Sequence, residues 1–324
     1  MEINMSFTIV GTGSAVPKKI VTNDMLAEFL DTSDEWISER TGIRQRRVLT
    51  EETLLSLAAE AGKRALEDAG LNADDIDAVV CGTLQGDFVS PAFSCLIAKE
   101  IGIKTGRMID VNMGCCGFIF ALDAAESYIE SGKAETVLVV CAEQISKIAD
   151  WTDRSTCVLF GDGAGAAVVK KSSSKSDFAL TVDGNYEPLY VPGRQGNSPY
   201  KAGGFDSEYL SMNGQEIFKF AVSSITSDIR AMLKNNSLAP DDVSYYVLHQ
   251  ANLRIINFAR QRLGLSEEKV PHNVENYGNT SSASIAIMLD ELNKSAKLKK
   301  GDKVILCAFG AGLARGCCLF EWGK

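Results

Sequence analysis

The chain contains two copies of one sequence unit at a constant spacing, and this duplication constrains its fold more than any other feature. Residues 65–80 (ALEDAGLNADDIDAVV) are matched by residues 232–247 (MLKNNSLAPDDVSYYV) at an offset of 167 residues (232 − 65). The same offset pairs residues 135–140 with residues 302–307. Two matches in one register indicate an internal duplication, so we expect two similar halves.

Each half alternates predicted strands with predicted helices. The apolar runs 78–81 and 136–141 are rich in valine and too continuous to be half-exposed strands, so they indicate parallel strands covered by helices on both faces. Apolar residues recur at the 3.6-residue period of a helix over residues 116–131 and, at the same offset, over residues 284–297. We therefore expect an α/β protein with two βα halves related by a pseudo-twofold axis.

The polar stretch 170–176 (KKSSSKS) lies where the two copies should join. We place the domain boundary there, with an N-terminal half over residues 1–173 and a C-terminal half over residues 174–324.

Composition excludes several classes of protein. No apolar run approaches the roughly 20 residues needed to cross a bilayer, and the first residues lack the order of a secretory signal. The formal charge of −9 disfavours a nucleic-acid surface. Nine cysteines, two pairs of them adjacent in sequence, suit reduced thiols better than structural disulfides. We expect a cytoplasmic protein without membrane insertion.

The segment DVNMGCCGF (110–118) joins a predicted strand to a predicted helix, and it contains the first candidate nucleophile. A cysteine at the start of a helix lies at the positive end of the helix dipole, beside unpaired backbone N–H groups. Both effects favour a thiolate, which is the nucleophilic form of cysteine. The alternative is that Cys115 and Cys116 are small apolar residues packed beneath the helix.

Two further candidates follow predicted strand ends in the second half. His249 is one of only two histidines, and it lies between a strand and a helix, where ligands of α/β proteins collect. The 167-residue offset places Asn279 opposite Asn112, so its loop should face that of Cys115. The alternatives are that His249 is a structural histidine and that Asn279 is a simple turn residue. His272 is expected to be structural.

Two glycine-rich runs, at 11–14 and 161–165, lack the GxGxxG spacing of a dinucleotide site, and the second is interpreted as close backbone packing around the active centre. A third run, at 309–312, follows a repeated strand. Its backbone N–H groups could form an oxyanion hole together with the amide of Cys115.

The chain resembles the β-ketoacyl-acyl-carrier-protein synthase III family of thiolase-fold condensing enzymes over nearly its whole length. Besides the Cys115 turn, the matching motifs are GTGS (11–14), DTSDEWI (31–37), RTGIR (40–44), TDR (152–154), FGDGAG (160–165), HQANLR (249–254), GNTS (278–281) and FGAG (309–312). The resemblance implies a thiolase-like fold layered α-β-α-β-α. It also implies the initiating condensation of type II fatty acid synthesis.

In the reaction that the resemblance implies, Cys115 takes an acyl group from acyl-CoA as a thioester, and the amides of Cys115 and Ala311 hold the oxyanion. Malonyl-acyl-carrier protein then loses carbon dioxide while His249 and Asn279 stabilise the enolate. The carbanion attacks the thioester and gives 3-oxoacyl-acyl-carrier protein. No metal or other cofactor is implied.

The resemblance also suggests binding residues and a homodimer. The candidates for coenzyme A are Thr32, Trp36, Arg40, Arg154 and Gly214. The candidates for the carrier protein are Lys219, Arg254 and Arg262, a local basic patch that would offset the acidic net charge.

One departure from the family concerns the acyl pocket. Many members place a bulky aromatic residue before the proline that matches Pro91, and this chain has Ser90 there. We expect a roomier pocket that accepts branched or longer acyl primers. Two other functions stay open: a related condensing or acyl-transfer enzyme of secondary metabolism, and a non-catalytic CoA-binding module.

Overall fold

The computed structural model describes residues 6–193, 199–200, 204–205 and 207–324. The strands are β1 (Ser6–Ala15), β2 (Ile20–Thr22), β3 (Gln45–Arg47), β4 (Ala78–Gly82), β5 (Arg107–Val111), β6 (Thr136–Gln144), β7 (Asp162–Ser172), β8 (Asp177–Val182), β9 (Leu189–Tyr190), β10 (Ser211–Met212), β11 (Tyr245–Leu248), β12 (Lys303–Gly310) and β13 (Ala314–Glu321). The α-helices are α1 (Asn23–Ala27), α2 (Asp34–Thr41), α3 (Leu54–Ala69), α4 (Phe93–Ile101), α5 (Gly117–Glu130), α6 (Gly214–Asn235), α7 (Leu253–Leu263), α8 (Val274–Tyr277) and α9 (Ala283–Lys294).

Two sheets form the framework, and both mix strand directions. The first has the order β1-β7-β6-β4-β5, and the second has the order β11-β12-β13-β8. Strand β4 is parallel to β5 and β6, and β11 is parallel to β12, but the other pairings in both sheets are antiparallel. The two runs that were predicted to be parallel strands, in β4 and β6, do pair in parallel, and antiparallel strands extend both sheets. Continuous apolarity reports burial on both faces of a strand, whatever the direction of its neighbours.

Helices and sheets alternate in five layers, as the resemblance implies. Helices α5 and α9 lie between the two sheets, where Leu122 and Leu289 share one core with residues of both sheets. Helices α3 and α4 cover the outer face of the first sheet. Helices α6 and α7 cover the outer face of the second. Apolar burial on both faces of each sheet holds this α-β-α-β-α arrangement together.

The predicted duplication is visible in the topology. Strands β4 and β11 begin 167 residues apart, as do β6 and β12, and each pair occupies the same place in its sheet. The counterpart of β5 is not a strand, because the short helix α8 precedes Asn279 and only a single bridge links that residue to Phe160. The prediction of a strand end before Asn279 was wrong, since an offset fixes sequence position and not local conformation.

Both glycine-rich runs pack closely against helices, as was predicted for the run at 161–165. A Cβ at Gly13 would lie 2.2 Å from the carbonyl oxygen of Ala61 in α3, and one at Gly165 would lie 2.6 Å from the Cβ of Ala286 in α9. Such distances are impossible for a side chain, so glycine allows these helices to lie directly on β1 and β7.

The chain passes from β7, which ends at Ser172, to β8, which begins at Asp177, on either side of the predicted boundary between residues 173 and 174. That boundary stays a prediction. Within the described ranges, no helix combines the length and the apolarity required to cross a membrane.

Candidate active site

One large cavity of about 730 Å³ opens between the two halves, and it collects five of the predicted site residues. Its lining includes Cys115 from the first half and Gly214, His249, Asn279 and Ala311 from the second. Most of the remaining lining is apolar. The structure therefore brings together, where the two halves meet, residues that are far apart in sequence.

Cys115 lies in a short 3-10 turn (Gly114–Cys116) at the head of α5, as the sequence predicts. Burial raises the pKa of its thiol to about 12, and a hydrogen bond with the Ser281 side chain offsets part of that increase. Burial thus opposes the thiolate that the position at a helix start favours, and the pKa shift runs against that prediction. Cys116 is fully buried and contributes to the core between the sheets.

Two backbone segments approach each other beside the sulfur. A Cβ built on Gly310 would lie 3.0 Å from the nitrogen of Cys115, and one built on Gly114 would lie 3.5 Å from the nitrogen of Ala311. The absence of side chains at these two glycines leaves the amides of Cys115 and Ala311 on neighbouring backbone at the cavity wall. Two amides on neighbouring backbone are one requirement of an oxyanion hole.

His249 follows β11, is 1% exposed, and packs edge-on against Phe309. Its Nδ1 lies 2.7 Å from the hydroxyl of Ser284, which also accepts a hydrogen bond from the backbone N–H of Gln250. Nδ1 is the only acceptor bonded to the Ser284 hydroxyl among the described residues, so we assign the hydroxyl hydrogen to that bond and the hydrogen of the neutral ring to Nε2. Nε2 has no partner among the described residues, and burial lowers the pKa of His249 to about 3. The ring is a neutral hydrogen-bond donor.

Asn279 is oriented by its own loop. Its Oδ1 accepts a hydrogen bond of 2.9 Å from the backbone N–H of Ser281, which fixes the side-chain amide and leaves its NH2 group available as a donor. Its backbone pairs with the segment around Phe160 of the first half, through Leu159 and Gly161. The residue is thus held by both halves.

A buried carboxylate lies behind the cysteine. Glu143, at the end of β6, is 1% exposed, and its Oε1 accepts hydrogen bonds from the hydroxyls of Ser281 at 3.1 Å and Ser282 at 2.7 Å. Its Oε2 accepts the backbone N–H of Leu84 at 3.0 Å. Burial raises the pKa of Glu143 to about 7. The carboxylate thus connects the Asn279 loop to the loop that follows β4.

The predicted coenzyme A residues form a cluster outside the cavity lining, apart from Gly214. The guanidinium carbons of Arg40 and Arg154 lie 4.6 and 5.0 Å from the ring centroid of Trp36. The hydroxyl of Thr32 is buried and has no hydrogen-bond partner in the described part of the chain. Asn252, which lines the cavity, donates to the carbonyl oxygen of Arg40, so the cluster borders the cavity.

The three predicted carrier-protein residues are exposed on α6 and α7. Arg254 lies 5.8 Å from the ring of Phe218, and Arg262 lies 4.8 Å from the ring of Phe258. The two rings pack edge to face at 6.3 Å, and Lys219 follows Phe218 in α6. The two arginines therefore border one surface with two aromatic rings at its centre, and Lys219 is exposed on the adjoining helix α6.

Ser90 does not line the cavity of its own chain, contrary to the prediction. It is exposed, in a loop between β4 and α4 whose residues Phe88 and Val89 reach the cavity wall while remaining 59% and 80% exposed. The loop turns Ser90 outward, which a motif match could not indicate. His272 lies outside the lining, paired at 2.6 Å with Glu275.

Three residues of the site were missed by sequence reasoning: Glu143, Ser281 and Ser284. Ser281 and Ser284 belong to the serine-rich run after Asn279, and Glu143 is a charge at the end of a buried strand. A carboxylate in such a position is rarely buried without a role, and that was the available signal.

Comparisons with known proteins identify the family to which this chain is similar. Residues 109–184 match the family described as 3-oxoacyl-[acyl-carrier-protein (ACP)] synthase III, and residues 233–322 match its C-terminal part. The β-ketoacyl-[acyl-carrier-protein] synthase III of Clostridium acetobutylicum is 43% identical over 98% of this chain and 99% of its own length.

Two solved structures superpose on nearly the whole chain. The 3-oxoacyl-[acyl-carrier-protein] synthase III of Aquifex aeolicus VF5 superposes with a TM-score of 0.91 at 42% identity, over 98% of this chain and all of that one. The priming β-ketosynthase of the R1128 polyketide biosynthetic pathway superposes with a TM-score of 0.92 at 35% identity, over 98% of this chain and 97% of that one.

The duplicated five-layer fold and the site at its centre define a thiolase-fold condensing enzyme, which is an acyltransferase. Within that class, the chain belongs to the β-ketoacyl-acyl-carrier-protein synthase III family.

Proposed function

We propose that this protein is an initiating condensing enzyme of type II fatty acid synthesis, which joins an acyl-CoA to malonyl-acyl-carrier protein. One observation carries the proposal: a thiol, a neutral imidazole donor and an oriented amide from two halves line one largely apolar cavity. Relatives at 43% identity support fatty acid synthesis over the polyketide alternative, whose representative is 35% identical. Family membership disfavours a non-catalytic module.

In the first half-reaction, the sulfur of Cys115 attacks the acyl-CoA thioester and releases coenzyme A. The carbonyl oxygen gains negative charge as the tetrahedral intermediate forms. The amides of Cys115 and Ala311, on backbone segments that nearly touch, would hold that oxygen. Fixed donors in a site shielded from water stabilise such a charge without having to reorient.

In the second half-reaction, malonyl-acyl-carrier protein loses carbon dioxide and leaves an enolate. The enolate oxygen would accept hydrogen bonds from Nε2 of His249 and the NH2 group of Asn279, the two donors that Ser284 and Ser281 leave free. The carbanion then attacks the acyl-cysteine and regenerates the thiol. This scheme uses side chains and backbone amides alone, so we propose no cofactor.

Coenzyme A would bind at the Trp36 cluster, with its adenine between the indole and the guanidinium of Arg154. Arg154 now stacks on Trp36, so a purine entering between them would displace it outward. The hydroxyl of Thr32, which has no hydrogen-bond partner among the described residues, would make a polar contact with coenzyme A, as would the backbone at Gly214. Lys219, Arg254 and Arg262 would receive an acidic carrier protein.

A homodimer is part of the proposal. Strand β5 is an edge strand, and β-edges with free backbone groups readily pair with another chain. The exposed apolar residues Phe88 and Val89 lie in the loop beside it. Because Ser90 points away from its own cavity, its influence on primer size would be exerted through a partner subunit. The nine free thiols support a reducing, cytoplasmic location.

The test is intact-mass analysis after mixing the protein with a panel of acyl-CoAs, followed by product analysis with malonyl-acyl-carrier protein. We expect a covalent acyl adduct that Cys115→Ser abolishes, and branched or longer primers among those accepted. Absence of any adduct would refute the enzyme assignment. Reaction with acetyl-CoA alone would refute the roomier pocket.

A further inference from the structure

We propose that Glu143 is a positioning residue for the condensation step. It holds the turn at Ser281, and that turn orients the two donors that would stabilise the enolate, Asn279 and His249. This role rests on the proposed function, because both donors act in the reaction with malonyl-acyl-carrier protein. Glu143 is 1% exposed and lies outside the lining of the large cavity, so it acts through its neighbours.

Each polar group of Ser281 has a partner in the site. Its backbone N–H donates to Oδ1 of Asn279 at 2.9 Å, which fixes the side-chain amide. Its carbonyl oxygen accepts the backbone N–H of Ser284 at 3.3 Å, and the Ser284 hydroxyl is bonded to Nδ1 of His249. Its own hydroxyl donates to Oε1 of Glu143 at 3.1 Å. Ser281 therefore connects Glu143 to both donors.

The backbone of Ser281 needs support from its surroundings. Its φ of 49° lies in the left-handed region that residues with a Cβ rarely adopt. Strain of this kind persists only where the surrounding structure imposes it. The hydrogen bond to Glu143 ties the strained turn to the end of β6, in the sheet of the other half. Without that bond the turn is free to relax, and the Asn279 amide and Ser284 would move with it.

Glu143 is itself anchored to the sheet that leads to the nucleophile. Its Oε2 accepts the backbone N–H of Leu84 at 3.0 Å. Leu84 follows β4 closely, β4 pairs in parallel with β5, and β5 leads into the turn of Cys115. The carboxylate thus fixes the Ser281 turn at a defined distance from the strand ends beside the reacting sulfur.

A carboxylate suits this position because all of its partners are donors. Glu143 accepts the hydroxyls of Ser281 and Ser282 at one oxygen and the N–H of Leu84 at the other. A buried polar network holds its geometry only when each member is satisfied. A glutamine of the same length can accept the N–H at its oxygen and donate to the two hydroxyls. Positioning therefore requires the length and polarity of this side chain, and not its charge.

The experiment follows the two half-reactions separately. Acetylation of Cys115 by acetyl-CoA is measured by intact mass, and the acetylated protein is then mixed with malonyl-acyl-carrier protein in single turnover. We expect Glu143→Asp, which is one methylene too short to reach both loops, to lower the maximal condensation rate about 100-fold, as for a displacement of about 1 Å at a reacting group. Acetylation should stay within a few-fold of the wild type.

The loss should appear in the maximal rate and not in the KM for malonyl-acyl-carrier protein, because the donors act on charge that develops in the transition state. Glu143→Gln should restore condensation to within about 5-fold of the wild type, the equivalent of one hydrogen bond.

Ser281→Ala tests the same link without altering the buried carboxylate, and it decides the matter if Glu143→Asp fails to fold. It should lower condensation more than acetylation. The double variant should condense within about 3-fold of the slower single variant, since both changes break one link.

Asp290→Asn is the matched control for a buried carboxylate. Asp290 is fully buried in α9 and accepts the hydroxyls of Thr12 and Ser14, but it lies outside the lining of the large cavity. We expect this variant to lower the unfolding temperature and to keep condensation within a few-fold of the wild type. Thermal unfolding verifies that every variant is folded.

Wild-type condensation by folded Glu143→Asp or by Ser281→Ala would overturn the positioning role, as would equal losses in the two half-reactions. Losses in Glu143→Gln as large as in Glu143→Asp would assign the effect to charge and would overturn it too. In these cases a wild type that acetylates Cys115 and condenses leaves the proposed function standing. A wild type that forms neither adduct nor 3-oxoacyl product would instead refute the proposed function itself.

Discussion

The hydroxyl of Ser284, at the start of α9, lies 2.7 Å from Nδ1 of His249 and fixes which ring nitrogen carries the hydrogen. Replacing this serine with alanine removes the donor and frees the ring to hold its hydrogen on Nδ1. We expect Ser284→Ala to lower condensation with malonyl-acyl-carrier protein about 5-fold, since roughly 1 kcal/mol of hydrogen bonding is lost.

Acetylation of Cys115 should be nearly unchanged in the same variant, because that half-reaction does not use Nε2 of His249. The two half-reactions are measured separately, by intact mass and by product formation. Equal losses in both would contradict the assignment of Ser284 to His249 alone.

The buried neutral state of His249 makes folding sensitive to acid. Burial lowers its pKa from 6.5 to about 3, so the unfolded chain binds a proton in this interval that the folded protein excludes. The corresponding stability is present above the unfolded pKa and is lost as pH falls from 6.5 towards 3. We expect His249→Gln to lose less unfolding free energy than the wild type between neutral and mildly acidic pH, measured by urea titration.

His272 provides the control, because its pairing with Glu275 raises its pKa instead. His272→Gln should lose more stability than the wild type at mildly acidic pH, the opposite sign. Parallel acid curves for the wild type and His249→Gln would contradict the neutral buried ring.

Gly310 lies against the backbone that carries the nucleophile. A methyl group there would lie 3.0 Å from the nitrogen of Cys115 and 3.3 Å from its Cβ. We expect Gly310→Ala to shift the oxyanion donors and to reduce the acetylation rate about 100-fold, the cost of losing one such donor.

Gly316→Ala is the matched control for packing. Its methyl group would meet the side chain of Ile119 at 3.2 Å, away from the cavity lining. It should lower the unfolding temperature but leave acetylation within a few-fold of the wild type. Similar rate losses in the two variants would assign the effect of Gly310 to general packing.

The surface with Lys219, Arg254 and Arg262 should act on the carrier protein and not on coenzyme A. We expect Lys219→Glu combined with Arg254→Glu to raise the KM for malonyl-acyl-carrier protein about 10-fold at low salt, with the difference shrinking as salt screens the charges. Acetylation by acetyl-CoA should not change. Lys299→Glu combined with Lys300→Glu, at exposed sites near the C-terminal strands, is the control of equal charge change. An equal effect of those substitutions would refute a local patch.

Sequence reasoning succeeded where a pattern repeats or a strand ends. The period of apolar residues located α5 and α9 within three residues of their ends, and the strand-to-helix transitions led to Cys115 and His249. These features depend on residues that are close together in the sequence, so a local pattern is enough to predict them.

It failed where a property depends on distant chain segments. The hydrogen bond between Ser281 and Glu143 joins residues 138 positions apart, and no pattern in the sequence predicts it. The raised pKa of Cys115 reflects burial by both halves together, which the helix start alone could not reveal. The outward turn of Ser90 depends on the path of its loop.

The 167-residue duplication has a consequence for the history of the site. At that offset, Ser282 corresponds to Cys115 and Gly82 corresponds to His249. The Ser282 hydroxyl lies 3.2 Å from the carbonyl oxygen of Gly82, and Glu143, the counterpart of Gly310, fills the space beside it. At the positions that the duplication equates with parts of the reaction cavity, Ser282, Gly82 and Glu143 are joined by hydrogen bonds and lie outside the lining of the large cavity. The carboxylate behind the nucleophile thus belongs to the counterpart of the site in the other half.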